Sequence, residues 1–570
     1  MFGTLEEKLP EIMSAARAEA EHARAGAHRL ALRTREQVMP GSPAAPEHWS
    51  WLIRRPQWSN RLIYGDPLLV MAGLLAGDTQ TQSLRKKLDL ACIQVQPGPR
   101  AARTGEFPAS VIAACLAGLA PRLILLQELL ARDGSLYVHL DSCLSYGVGR
   151  LLEEIFGSDR FRREVIWTFA GAADGGRSGR EASLYYGASA DLAYPAGLRE
   201  PHRRNRVPAR LAGHGDDDSA SIRPDFELIA HEKTRYSQRE LRQEDLMRRV
   251  IRAACRPRGI VAEFFDASGF VAAAADSSGH PWIAVTSKDP ACLPVRKCLL
   301  AVNAGPFLIQ SLEDGRLAVA KNRFGSASRD QAIAGVLAWY GASSLPIEHD
   351  PHRRFGTVVR NGGKTLVLVD FPDRITGMAL LRHAIAQRDY LPGGWDKVLV
   401  LGWQFEPDIS GDIAALEDPS LDVRRIPPRL LRARGAAGEV ESCMPEDLAS
   451  PRRVLLRTVQ RHRHDDREEL VVRLRDYAAI FPHAGPARAR LELDAAPFGA
   501  IDYWAVDPDY DGKVFRVAWQ ACRDGACRPS LPIATEARFE TPHKAGERHV
   551  CVRTLDLLGL QAEAMQIVPE

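Results

Sequence analysis

The sequence has few of the features that mark secreted, membrane-spanning or metal-stapled proteins. Its start carries the acids Glu6 and Glu7 where a secretory signal needs an apolar core, and no run of about 18 apolar residues is expected. The ten cysteines are scattered, and the closest pair, Cys522 and Cys527, has no second pair of metal-like spacing. These absences predict a soluble, cytoplasmic protein with reduced thiols, no metal site and no membrane contact.

The chain also lacks a strong charge of either sign. The 75 Lys and Arg residues against 72 Asp and Glu residues give a formal net charge of +3, so any face that binds a polyanion has to be local. Hydrophobic residues at 45% and charged residues at 26% exclude wholesale disorder, a collagen-like chain and a coiled-coil rod. At 570 residues, the length predicts roughly two to four domains.

The pattern of apolar runs predicts how these domains are arranged. Short β-type runs such as LDLACIQV alternate with helical stretches, then TLVLVDF and KVLVLGW restart a βαβ pattern, and short alternating strands with Asp, Gly and Pro turns follow. The predicted segments are an N-terminal helical segment and linker at 1–47, an α/β domain at 48–300, a small α/β domain at 301–435, a connecting region at 436–485 and a C-terminal β-sandwich at 486–570.

Six blocks of the first α/β domain stand in a distinctive order. They are RLIYGD, KKLDLACIQV, LLARDGSLYVHLD, LLEEIFGSDRFRREVIW, GIVAEFFDASG and GHPWIAV. Together they resemble the adenine-specific DNA methyltransferases of type III restriction-modification systems, which are Mod-like, β-class enzymes with the catalytic motif placed before the cofactor motif. The resemblance covers roughly 48–300. It implies a doubly wound, Rossmann-like fold that uses S-adenosylmethionine, with a short recognition insert at about 170–235.

The catalytic turn of such enzymes reads DPPF or DPPY after an apolar strand. Its acid and proline carbonyl accept hydrogen bonds from the amine of the flipped base, and its aromatic ring stacks on that base. Here the strand LDLACI continues with Gln94, Val95, Gln96 and Pro97. An amide replaces the carboxylate, the aromatic ring is missing, and no catalytic residue is therefore expected.

The cofactor positions implied by the resemblance are altered as well. The family pattern is an acid followed by FxGxGT, and this chain keeps the acid and one glycine but has alanine and phenylalanine at the other small positions. The next strand ends in Thr where the family binds the ribose with an acid. The predicted remnant pocket consists of Asp66, Glu263, Phe264, Asp266, Ala267, Gly269 and Thr286.

Loss of several cooperating groups from a retained scaffold predicts a pseudoenzyme that needs no cofactor. Its predicted function is that of a DNA-binding or scaffolding subunit in a bacterial DNA modification or phage-defence assembly. Two alternatives stay open at this point. One is an active S-adenosylmethionine-dependent DNA adenine methyltransferase with variant motifs, and the other is a protein-interaction subunit that does not bind DNA.

Basic residues cluster where these enzymes begin target recognition. Arginines interleaved with tyrosines can contact phosphates and stack on bases, although three aspartates follow directly. The candidate nucleic-acid contacts are Arg177, Arg180, Arg203, Arg204 and Arg206. The resemblance further implies homodimerisation and partner subunits such as a helicase or nuclease.

Overall fold

The computed structural model describes most of the chain, with gaps. The described residues are 2–27, 31–40, 58–77, 82–95, 109–141, 144–168, 180–187, 247–265, 268–287, 292–312, 326–360, 362–371, 374–406, 408–426, 448, 450–480, 497–523, 533–557 and 559–570.

Helices form where Ala, Leu and Arg dominate the sequence. They are α1 (Phe2–Ala25), α2 (Pro67–Ala76), α3 (Ala109–Leu129), α4 (Ser145–Phe156), α5 (Phe270–Ser277), α6 (Leu293–Ala301), α7 (Ser326–Tyr340), α8 (Met378–Tyr390) and α9 (Ile409–Leu416). Residues 247–254 are also helical.

Strands form mainly where Val, Ile, Leu and aromatic residues recur. In the first half they are β1 (Leu32–Val38), β2 (Asn60–Tyr64), β3 (Leu88–Val95), β4 (Leu130–Asp141), β5 (Phe161–Thr168), β6 (Arg180–Gly187), β7 (Ile260–Phe264), β8 (Trp282–Thr286) and β9 (Phe307–Leu312). The later strands are β10 (Ser343–Ser344), β11 (Phe355–Arg360), β12 (Gly363–Val369), β13 (Lys397–Gly402), β14 (Leu421–Arg425), β15 (Arg452–Leu456), β16 (Gln460–His464), β17 (Arg467–Ala479), β18 (Ile501–Asp507), β19 (Phe515–Arg516), β20 (Trp519–Cys522), β21 (Glu536–Pro542), β22 (Arg548–Asp556) and β23 (Gln561–Val568).

The chain divides into two compact units. The first comprises Met1–Ala31, Pro67–Thr286 and Pro294–Ala304, and the second comprises Leu32–Asp66, Ser287–Leu293 and Gly305–Glu570. Each unit therefore draws on segments that are distant in sequence.

A mostly parallel sheet forms the centre of the first unit. Its strands follow the order β8-β7-β3-β4-β6-β5. Strands β8, β7, β3 and β4 are parallel to one another, whereas β6 is antiparallel to both β4 and β5. Strand β3 is buried along nearly its whole length, as expected for a parallel strand covered on both faces. The unit is thus mixed α/β with a parallel-dominated sheet, as the sequence predicts.

Helix α3 corrects one sequence-based expectation. Between Val111 and Leu129 it is long and apolar enough to cross a membrane, although no such run was expected. Within the first unit α3 packs against α1, α2 and α4, and Leu116, Leu123 and Leu126 are fully buried. A buried core helix can be as long and as apolar as a membrane-spanning helix.

The N-terminal segment differs from its predicted all-helical character. Helix α1 ends at Ala25, and Leu32–Val38 forms strand β1 in the second unit. Strand β1 pairs antiparallel with β9 and parallel with β19, and β9 pairs parallel with β2. Residues near the start of the chain are therefore joined to residues beyond position 500.

The small α/β region of the second unit contains a sheet in the order β10-β11-β12-β13-β14. Strands β12, β13 and β14 are parallel, and β11 is antiparallel to β12. One face packs on α7 through Ile333 and Leu337, and the other on α8 and α9 through Leu381 and Ile409. The predicted βαβ sequence TLVLVDF to KVLVLGW forms β12, α8 and β13.

The C-terminal part of the second unit contains two antiparallel sheets. In one, β17 pairs with β15, β16 and β21; the other has the order β20-β18-β22-β23. One apolar cluster draws on both sheets, including Leu470 and Val472 from the first and Trp504 and Val552 from the second. Strands β15 to β17 lie in the predicted connecting region, so that region supplies sheet structure. The predicted β-sandwich stays a prediction.

Candidate functional site

The first unit has a topological switch point between β7 and β3. The connection from β3 leads through α3 to β4 on one side, whereas the connection from β7 leads through α5 to β8 on the other. Strand order therefore reverses between β7 and β3. In open α/β sheets, ligands bind outside the carboxyl ends of strands at such a switch point. The residues that follow Ile93 and Phe264, which are paired in register, are the candidate site.

The turn after β7 is shaped by an internal carboxylate. The Glu263 side chain is buried, and its Oε1 accepts hydrogen bonds from the Ser268 amide at 2.8 Å and from the Ser268 hydroxyl at 3.0 Å. Phe265 and Gly269 have φ values of 67° and 91°, so the backbone turns sharply before α5 begins. Glu263 thus stabilises the turn that follows β7 through its hydrogen bonds with Ser268.

Burial dominates the electrostatics of this turn. It raises the pKa of Glu263, and the hydrogen bonds from Ser268 oppose that rise. The other carboxylate oxygen, Oε2, is buried and makes no hydrogen bond within the described part of the chain. Cys92 is in register with Glu263 on the neighbouring strand, and burial followed by the Glu263 charge raises the pKa of its thiol well above the usual range. Cys92 is therefore an inert thiol.

Gly269 is explained by packing. A Cβ atom at this position would lie 3.0 Å from the Cys298 Cβ and 3.1 Å from the Val295 Cα of helix α6. Its positive φ disfavours other residues as well. The glycine retained from the family pattern is thus needed for helix packing whether or not a ligand approaches it.

The catalytic position of the resemblance lies at the end of β3. Gln94 is half-buried and Val95 is buried. Gln94 is in register with His139 of β4, so an amide and an imidazole stand on adjacent parallel strands at their carboxyl ends. His139 matches no residue of the catalytic motif, and only the strand register brings it beside Gln94. Gln96 and Pro97 lie outside the described residues.

The other predicted pocket residues are distributed between the units. Phe264 and Thr286, in the first unit, are buried at the ends of β7 and β8, whereas Asp66 is buried in the second unit directly after β2. Asp266 and Ala267 lie outside the described residues. The structure thus brings Glu263, Phe264 and Gly269 together in one turn beside Gln94.

The described residues do not supply the full set of groups expected for S-adenosylmethionine. Only Oε1 of Glu263 is engaged, by Ser268, whereas Thr286 offers one hydroxyl where two carboxylate oxygens would hold a ribose. Nor do these residues contain a group of three or more His, Cys, Asp or Glu side chains that could hold a metal ion.

The candidate nucleic-acid residues fall largely outside the described residues. Arg177, Arg203, Arg204 and Arg206 all do so. Arg180 is the first residue of β6, which pairs with β4 and β5. Residues 180–187, part of the predicted recognition insert, therefore belong to the central sheet.

The first unit is thus mixed α/β, with a parallel-dominated sheet and a sharp turn after β7 at its switch point. No family profile and no curated protein matches the chain. Among solved structures, it is similar to M1.HpyAVI, at 14% identity and a TM-score of 0.26, over 42% of this chain and 98% of that one.

Two further solved structures are similar over a comparable part of the chain. A putative DNA modification methylase of Thermus thermophilus, TTHA0409 in complex with S-adenosyl-L-methionine, shares 12% identity with a TM-score of 0.26, over 45% of this chain and 100% of that one. The cytosine-N4-specific PvuII DNA methyltransferase shares 13% identity with a TM-score of 0.28, over 43% of this chain and 86% of that one. Likeness at this level assigns no activity to the chain.

Proposed function

We propose that the chain is a catalytically degenerate DNA methyltransferase homologue that serves as a DNA-binding or scaffolding subunit of a bacterial DNA modification or phage-defence assembly. The observation that carries this proposal is Gln94 at the carboxyl end of β3, beside a turn that retains Glu263 and Gly269. The order of the six motifs and the doubly wound sheet support it. The soluble, cytoplasmic setting, a homodimer and a helicase or nuclease partner rest on the resemblance.

An amide at position 94 removes the charge on which methyl transfer to an amine depends. As the amine nitrogen attacks a methyl group it becomes positively charged, and a nearby carboxylate stabilises that charge. Gln94 can accept a hydrogen bond but carries no charge. Losing one such electrostatic group typically lowers the rate by about 100-fold to 1,000-fold, and here the stacking aromatic ring of the family motif is missing as well.

We expect the purified protein to transfer no labelled methyl group from S-adenosylmethionine to duplex DNA, and calorimetric titration with S-adenosylmethionine to give no heat of binding. The physical reasons are the uncharged residue at position 94 and the engagement of Glu263 by Ser268. A Gln94→Ala variant is the matched control, since it should behave like the wild type. Methyl incorporation that disappears in Gln94→Ala would contradict the proposal and establish the active enzyme instead.

Two other outcomes separate the remaining candidates. Micromolar binding of S-adenosylmethionine without methyl transfer would mean that the pocket is kept for a ligand rather than for catalysis. Absence of duplex binding at low salt would favour a protein-interaction subunit, because a phosphate-binding face must bind most tightly at low ionic strength.

A further inference from the structure

A cluster of positive charge lies at the amino ends of the parallel strands in the first unit. We call the side chains of Arg24, Arg85, Lys86, Lys87 and Arg160 the amino-edge basic surface. Lys86 and Lys87 directly precede β3, Arg160 directly precedes β5, and the Lys86 amide donates to the Glu128 carbonyl at the entry to β4. Helix α1 supplies Arg24 through its last turn.

One carboxylate, that of Glu128, pairs with two members of this cluster. Arg24 contacts Glu128 at 2.7 Å, and Arg85 contacts the other oxygen of the same carboxylate. Lys86 donates to the Gln127 carbonyl at 2.8 Å instead of to an acid. Within the described residues, Lys87 and Arg160 make no ion pair. Glu128 is thus ion-paired with two of the five cations, and the other three keep their positive charge without an ion pair in the described part of the chain.

The like charges are held close enough to affect one another. Partial burial and then the Arg160 charge lower the pKa of Lys86. Lys86 also has a φ of 57°, in the left-handed region that a lysine rarely adopts. Repulsion and backbone strain both reduce the stability of the folded protein, so stability does not explain this arrangement. A bound polyanion would neutralise the excess charge.

The position of the cluster separates it from the candidate site. Gln94 and the turn at Glu263 lie at the carboxyl ends of β3 and β7, whereas the basic surface lies at the amino ends of β3 and β5. Small ligands of open α/β sheets bind at the carboxyl edge. A basic surface at the other edge is suited to an extended anion that makes several separate charge contacts.

We propose that the amino-edge basic surface binds the phosphate backbone of duplex DNA without reading its sequence. The proposal rests on the proposed function in so far as DNA is the partner. Lysine and arginine contacts to phosphates supply affinity and fix orientation, and base contacts would be needed for specificity. The surface therefore holds the protein on DNA of any sequence.

The test is duplex binding by the full chain as a function of salt. A charge-reversed variant, Arg85→Glu with Lys86→Glu, should weaken binding at low salt at least about tenfold, since every lost phosphate contact lowers the slope of log K against log salt by about 0.9. Arg453→Glu with Arg457→Glu, which reverses two exposed arginines of the second unit, is the matched control and should bind like the wild type.

A second variant guards against misfolding, because a glutamate introduced at position 85 would repel Glu128. Lys86→Gln with Arg160→Gln removes two like charges, so its melting temperature should stay the same or rise. Its slope of log K against log salt should fall by the equivalent of about two phosphate contacts.

Wild-type binding that neither variant changes would overturn the inference and leave the proposed function standing. Absence of duplex binding by the wild type would overturn both the inference and the DNA-binding form of the proposed function. Tighter binding of single-stranded RNA than of duplex DNA would also overturn the inference.

Discussion

Replacing Glu468 by alanine should destabilise the C-terminal sheets of the second unit by about 3–5 kcal/mol, because it leaves buried cations without an anion. Glu468 is 1% exposed and lies on β17. Arg461 donates to both of its carboxylate oxygens, at 3.0 and 2.7 Å, and Arg548 donates to Oε2 at 2.6 Å. His543 Nδ1 and the Lys544 amide lie 2.5 and 3.0 Å from Oε1.

Lowering the pH should destabilise the wild type in part as the Glu468→Ala substitution does, because it protonates Glu468. The hydrogen bonds from Arg461 and Arg548 outweigh burial and hold the pKa of Glu468 at about 2, below its ordinary value of 4.5. A depressed carboxylate pKa contributes stability above the unfolded pKa, and that stability is lost as the pH falls through the folded value. A shift of this size corresponds to about 3 kcal/mol. The loss should therefore develop between about pH 4.5 and pH 2.

Hydrogen exchange in urea, followed on the peptide that covers β17, measures this local stability. The local free energy of unfolding should fall steeply below pH 4.5 in the wild type. This fall should be smaller in Glu468→Gln, because glutamine cannot titrate. The control is Glu540→Gln on neighbouring β21. Glu540 is exposed and pairs with Arg467, so its loss should cost at most about 1 kcal/mol. Equal effects of the two substitutions would show that burial of Glu468 has no energetic consequence.

The sequence predicts elements whose signal is local. LDLACIQV and KVLVLGW are apolar runs bounded by turns, and they form β3 and β13. Strand β1 is different, since LRTREQV has apolar residues only at its ends and resembles the helical segment before it. It is a strand because it pairs with β9 and β19, and its Glu36 contacts Arg553 of β22, 517 positions away. No local pattern contains that information.

In the candidate site, too, the sequence predicts the local features but not the contacts between distant residues. Glu263 and Gly269 are recognisable from their spacing, and the structure places them in one turn. Their roles are set by neighbours that the motif does not include, since Ser268 engages the acid and helix α6 requires the glycine. His139 becomes relevant only through its register with Gln94. Arg180 resembles part of a recognition loop because its segment is basic, yet its backbone continues the central sheet.

Replacing Arg553 by methionine should destabilise the second unit by about 3–5 kcal/mol at neutral pH, because the buried Glu36 and the half-buried Glu563 lose their shared cation. Arg553 NH1 lies 2.7 Å from Glu36 Oε1, and Arg553 Nε lies 2.6 Å from Glu563 Oε1. The guanidinium also stacks over the fully buried Phe515 ring, 4.4 Å from its centre. One side chain thus joins β1, β22 and β23.

A compensating variant should separate charge balance from side-chain packing in this cluster. Adding Glu36→Gln and Glu563→Gln to Arg553→Met should recover most of the loss at neutral pH, since uncharged groups of similar size replace the whole ionic cluster. Thermal unfolding of the wild type, Arg553→Met and the triple variant at neutral pH measures the recovery. If the triple variant is as unstable as Arg553→Met, the packing of the arginine on Phe515, rather than charge balance, holds β1 to the C-terminal sheet.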